Sequence, residues 1–147
     1  MKRIVLLVLA AVFAGCHRAP AGPVAGAPSA RGAVEAFLAA ARARDVRAFG
    51  AVWGTERGAA RDRMDRRELE QRSLVLACLL THDQSRIGQQ AVAAGARQVF
   101  PVELRSGTRT ASTRVTAVLG PSDRWFVETV EVEPLRDLCR QPGTPNM

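Results

Sequence analysis

Apolar residues fall along this chain in four rhythms, and each predicts a different kind of structure. Ile4 to Gly15 is an unbroken uncharged block of 12 residues. His17 to Ala30 (HRAPAGPVAGAPSA) has no period, only Pro20, Pro23 and Pro28 among Ala and Gly, which predicts a flexible linker of polyproline character. From Ser29 the pattern becomes helical. Val34, Phe37, Leu38 and Ala41 stand at i, i+3, i+4 and i+7, one face of an amphipathic helix. Asp45 is placed to cap a second short helix in which Val46, Phe49, Val52 and Trp53 share a side. Gly54 and Gly58 bracket a loop. Asp65 and Glu68 read as a capping box that opens a third helix to about Leu80. That helix is apolar almost all round from Leu74, so its end is expected to be buried.

After His82-Asp83 the period changes to two. Gln84 to Val92 predicts a weak strand, and Ala93 to Ala96 a Gly-containing turn. Gln98 to Arg105 predicts a strand with Phe100, Val102 and Leu104 on one side. Pro101 within it implies an edge or a bulge. Ser106-Gly107 has hairpin chemistry, and in Thr108 to Leu119 the residues Val115, Ala117 and Leu119 alternate inward. Gly120 to Asp123 is a turn by composition, Arg124 to Glu133 is the last strand, and Pro134 stops it. Leu135 to Cys139 should fold back on the domain, and 141–147 should fray.

Two or three helices followed by an antiparallel meander predict the α+β class, with N-terminal helices packed on a curved antiparallel sheet of about four strands. The run VEAFLAAARARDVRAFGAVW, then a helix, then three or four long strands ending near Trp125-Phe126-Val127, resembles the nuclear-transport-factor-like, or cystatin-like, α+β roll over roughly Ser29 to Cys139. The resemblance implies a sheet curled around the first helix and a cone-shaped apolar cavity. Trp53, Phe100 and Trp125 are the candidates to line that cavity. With seven aromatic residues in the chain, core packing is the alternative use for them.

The apolar block at the start changes the picture of where the domain sits. At 12 residues it is too short to span a bilayer, which needs about 20, and it fits a secretory h-region behind Lys2 and Arg3. It runs through Phe13-Ala14-Gly15 into Cys16 and resembles the lipobox of bacterial lipoproteins, although the family pattern prefers Leu where this chain has Phe13. The resemblance implies removal of 1–15 and lipidation of Cys16; with the linker composition and the order of elements, the expected organisation is a lipid-anchored flexible tether over 16–30, a single α+β roll domain over 31–140 and a disordered tail over 141–147. Each buried CH₂ contributes about 0.8 kcal/mol, and two acyl chains hold stably. In a Gram-negative host, His17 in place of Asp after the cysteine implies the periplasmic face of the outer membrane. Fully extended, the tether would reach roughly 40 Å. With Cys16 lipidated, Cys78 and Cys139 are an even pair in an oxidising compartment. A bridge closing their 61-residue interval would contribute about 4 kcal/mol on the chain-entropy account. Two buried thiols are the alternative.

Charge and composition narrow the chemistry. Loss of Lys2 and Arg3 lowers the formal net charge from +7 to +5 and removes the only lysine, so the mature chain is basic through Arg alone. Arg57 to Arg72 holds six Arg interleaved with Asp62, Asp65, Glu68 and Glu70, which reads as a solvated face paired at i,i+3 and i,i+4 and not as a nucleic-acid surface. The acidic end (Glu128, Glu131, Glu133, Asp137) contrasts with Arg97, Arg105, Arg109, Arg114 and Arg124 in the preceding strands. Isomerases of the roll type use a Tyr oxyanion donor, and this chain has no Tyr. His82 with Asp83 is the one base candidate in the domain, with a surface turn as its alternative reading. Ser73 and Ser85 have no visible base, and no zinc-type spacing or phosphate loop is present. The expectation is therefore a non-enzymatic, lipid-anchored cell-envelope protein with a binding or interaction role. Its partners would be the membrane, through lipid on Cys16, and an envelope protein or ligand. No cofactor, metal or nucleic acid is expected. The alternatives are an apolar-ligand carrier or isomerase-like enzyme using the cavity of the roll, and an Arg-mediated binder of an anionic envelope polymer.

Overall fold

The computed structural model describes residues 24–140; the expected signal segment 1–15, Cys16, most of the expected tether and the expected tail 141–147 lie outside the described residues. Helix α1 spans Ala30–Ala43. It starts there because the Ser29 hydroxyl accepts from the Gly32 N–H at 3.0 Å, and it ends where Arg44 turns left-handed at φ 52°. Val34, Phe37, Leu38 and Ala41 are buried, the face the periodicity predicts. The Asp45 carboxylate accepts from the N–H groups of Arg47 and Ala48 and opens α2, Val46–Val52. Phe37 and Phe49 meet at 4.5 Å between ring centroids, and Trp53 stands edge-on to Phe49 at 5.7 Å. The stretch bracketed by Gly54 and Gly58 is a hairpin, not an open loop: β1 (Gly54–Thr55) pairs with β2 (Gly58–Ala59).

Asp65 caps α3, Arg66–Leu79, accepting from Arg67 and Glu68, while the Glu68 carboxylate is held by Arg72 at 2.7 Å. The expectation that α3 buries its whole apolar end is corrected. Leu74 is 58 % exposed and Val75 61 %, whereas Leu69, Ser73, Ala77 and Leu80 are buried. That stripe, at i, i+4, i+8 and i+11, is the one turned to α1 and α2. Two of its members are small, which leaves the larger Leu74 and Val75 on the outer side.

The sheet consists of β3 (Gln84–Ile87), β4 (Val92–Ala94), β5 (Arg97–Ser106), β6 (Arg109–Leu119) and β7 (Trp125–Val130). It is antiparallel in the order β3-β5-β6-β7, with β4 also on β5. The chain is thus an α+β domain, with α1 packed on β6 and β7. Phe100, Val102, Leu104, Val115, Ala117 and Val127 meet Val34, Phe37 and Leu38 in one core, while Val118 and Phe126 form a smaller cluster with Ala59. Leu119 is only half-buried, because a bulge at Thr116/Ala117 shifts the alternation and turns Val118 into that second cluster. The single strand expected over 84–92 is two, with Gly88 to Ala91 between them and β4 where a turn was expected; the turn itself is Gly95-Ala96. The cause is Pro101. Its carbonyl accepts from Gly88 at 2.8 Å, so the side of β5 on which proline lacks a donor faces the break. Strand β7 ends at Val130, short of the expected Glu133, as the chain coils into a 3-10 turn over Glu133–Leu135. Helix α4, Arg136–Cys139, then folds back with Leu135 and Leu138 buried.

The domain boundary expected at 31 lies earlier. The Gly26 N–H donates to Ala51, Ala27 exchanges two 2.8 Å bonds with Trp125, and Arg124 donates to the carbonyls of Ala25 and Gly26. Residues 25–30 therefore belong to the domain and not to a flexible tether.

Candidate functional site

The residues singled out from the sequence do not gather at one place. Cys16 lies outside the described residues. Cys78 and Cys139 are disulfide-bonded, with their Cα atoms 5.0 Å apart, and the bond ties α3 to α4. Phe100 is buried within the core, Trp125 is half-buried at the Ala27 bridge, and Trp53 borders open depressions beside α3. His82, read as part of a surface turn, is instead 6 % exposed. Its Nδ1 lies 2.6 Å from the Leu80 carbonyl, which fixes the N–H on that nitrogen. Asp83 does not orient it, because the Asp83 carboxylate accepts from the Gly107 N–H at 2.7 Å and pins the β5–β6 turn.

Where the arginines go is more informative. On the sheet side every arginine but Arg86 is committed among the described residues. Arg97 binds Glu128 through two 2.7 Å bonds and Glu56 at 3.5 Å; Arg114 binds Glu131; Arg109 donates to the carbonyls of Asp137 and Arg140. The Arg97 bond holds the Glu128 carboxyl below the usual carboxylate range despite its partial burial, and the carboxylate in turn raises Arg97. The contrast of an acidic end with basic strands is therefore largely an internal pairing. On the helical side the acids are consumed first. Asp45 and Asp65 serve as caps, and Asp62, Glu68 and Glu70 pair with Arg61, Arg72 and Arg66. Arg42, Arg44, Arg47, Arg57, Arg63 and Arg67 make no side-chain hydrogen bond or ion pair among the described residues.

Several depressions border these cations, and one of them takes in Arg47. Between the start of α2, the 3-10 turn at Ala60–Asp62 and the start of α3 runs an open furrow of about 730 Å³, within the 300–1,000 Å³ range of small-molecule sites. Arg47, Arg61 and Arg66 stand along it with the Arg66-bound Glu70, and Val46, Met64 and Leu69 form its apolar lining. Beside it α2 and α3 come close at Gly50, where a Cβ would lie within 2.7 Å of Leu69. Val46 also borders a narrow recess lined by Leu74 and Ser73. The Ser73 hydroxyl is buried without a hydrogen-bond partner among the described residues. Reading the Arg57–Arg72 segment as self-paired in sequence order missed this furrow, because Arg47 joins it from another helix. The available signal was the surplus of Arg over acid once the caps are subtracted.

Comparison with family models, with curated proteins and with solved structures returns no match to this chain.

Proposed function

We propose that this chain is a lipid-anchored cell-envelope protein whose α+β roll serves a non-catalytic binding role. The observation that carries the reading is the accounting of its three cysteines. Cys78 and Cys139 are joined, as suits an oxidising compartment, and the remaining one, Cys16, ends the apolar block where the lipobox resemblance expects the acylated residue. The order of elements (two helices, a short hairpin, a third helix, then a meander) supports the nuclear-transport-factor-like roll. The docking of Ala25 leaves nine residues from Cys16 to the fold, a leash of at most about 30 Å.

Intact mass and membrane fractionation of the wild type and Cys16→Ser in a bacterial host test it. A diacyl or triacyl increment that disappears in the variant is expected, with the variant moving to the soluble fraction. An unacylated, soluble wild type would overturn the anchor. A turnover lost on His82→Ala would overturn the non-catalytic reading.

A further inference from the structure

We propose that the outer face of α3 is a docking surface that rests on a bilayer of anionic phospholipid. The proposal deepens the envelope reading above by saying which side of the domain meets the membrane, and its test makes no use of the anchor. The run from Ser73 to Leu80 carries no charge, yet it fully buries only Ser73, Ala77 and Leu80. Arg67, Gln71, Leu74, Val75 and Cys78, at i, i+4, i+7, i+8 and i+11, fall on the side opposite that stripe. Leu74 and Val75 are two of the three large apolar side chains left exposed among the described residues. Half-buried Trp53 and Leu76 border a shallow depression with Val75 and extend the apolar strip toward the end of α2. Around the strip the acids are taken up. Glu68 is bound by Arg72, Glu70 by Arg66, and the Asp45 carboxylate caps α2. On α4, which packs on α3, Arg140 pairs with Asp137 and Arg136 with Glu133, so no surplus acid is added there. Two cations are left over. Arg44 borders the recess beside Leu74, Arg67 lies two turns before it, and both are exposed with no side-chain partner among the described residues. An apolar strip with free guanidinium groups at its margin matches the two levels of a lipid surface, acyl chain and phosphate. The arginine stems can lie along the strip while their heads reach phosphate oxygens. A second copy of the chain would instead set surplus cations against surplus cations.

The chain from residue 16 carrying Cys16→Ser contains every described residue and no acyl group. It is mixed with vesicles of phosphatidylglycerol and phosphatidylcholine, and with vesicles of phosphatidylcholine alone, and its partition is read by co-sedimentation. The expected result is partition into the phosphatidylglycerol vesicles about tenfold or more above that into phosphatidylcholine alone. Leu74→Gln combined with Val75→Gln should lower that partition by about tenfold. Arg44→Gln and Arg67→Gln should each lower it by about fivefold. Arg86→Gln, which removes an unpaired arginine on β3, should leave it unchanged. All these side chains are exposed, so the urea midpoints of the variants should match that of the parent chain. Absence of partition, or equal partition into both vesicles, overturns the proposal. So does partition that the Leu74 and Val75 changes leave intact, or an equal loss on Arg86→Gln. A dimer in sedimentation that the same two changes abolish, with no partition into vesicles, would assign the face to a second copy and overturn it as well. The two readings fail separately: a missing acyl increment would leave this partition in place, and a missing partition would leave the increment.

Discussion

Single residues carry more of this fold than their size suggests. Gly26 has φ +68°, and a Cβ there would come within 2.8 Å of the Arg124 Cβ and 2.9 Å of the Phe126 ring. Gly26→Ala thus combines a left-handed backbone with a steric clash, and urea unfolding should show a loss of about 2 kcal/mol. The same measurement separates two leucines that the sequence pattern treats alike. Leu80→Ala, at a fully buried position, should cost about 3 kcal/mol. Leu74→Gln should stay within about 0.5 kcal/mol of wild type, because the residue is already in water. A loss at Leu74 comparable to that at Leu80 would mean that α3 is rotated from the orientation described.

Among the elements, those governed by local chemistry were legible in advance. Ser29, Asp45 and Asp65 start their helices, and Phe100, Val102 and Leu104 face inward as their alternation predicts. What was not legible depends on a neighbour distant in sequence. Pro101 was read as a defect of its own strand, but its effect appears one strand away, in the break between β3 and β4. His82 looked like a surface turn until the Leu80 carbonyl and the packing around it were known. The furrow lies between helices and so belongs to no single stretch of sequence. A pairing of the same distant kind sets the acid response. Arg97 on β5 reaches across β6 to Glu128 on β7 and holds that carboxyl below its unfolded value. A depressed folded value contributes stability above the unfolded pKa, near 4.3, and loses it as the pH falls through the folded value. Unfolding midpoints of wild type should therefore decline more steeply in that acidic window than those of Glu128→Gln. Parallel curves would show that the pair contributes nothing there.

At the scale of the molecule, the disulfide joins α3 of the helical layer to α4. The loop it closes contains the whole sheet, from β3 to β7. Cys78→Ala with Cys139→Ala should lower stability by about 4 kcal/mol on the chain-entropy account, read as a shift of the urea midpoint between oxidised wild type and the double variant. A shift under about 1 kcal/mol would mean that α4 holds its place by packing of Leu135 and Leu138 alone.

Both rims of the sheet carry the last consequence. Along β7 the backbone is engaged by Ala27 on Trp125 and by Trp53 on Val127. On the opposite rim the strand is interrupted at Gly88–Ala91, and the Arg31 guanidinium donates to the carbonyls of Ile87 and Gly88. Neither border offers a long run of free donors and acceptors on which a foreign strand could be templated. The protein is accordingly expected to resist fibrillation at high local density, and a polypeptide that engages it must do so through side chains and not by adding a strand.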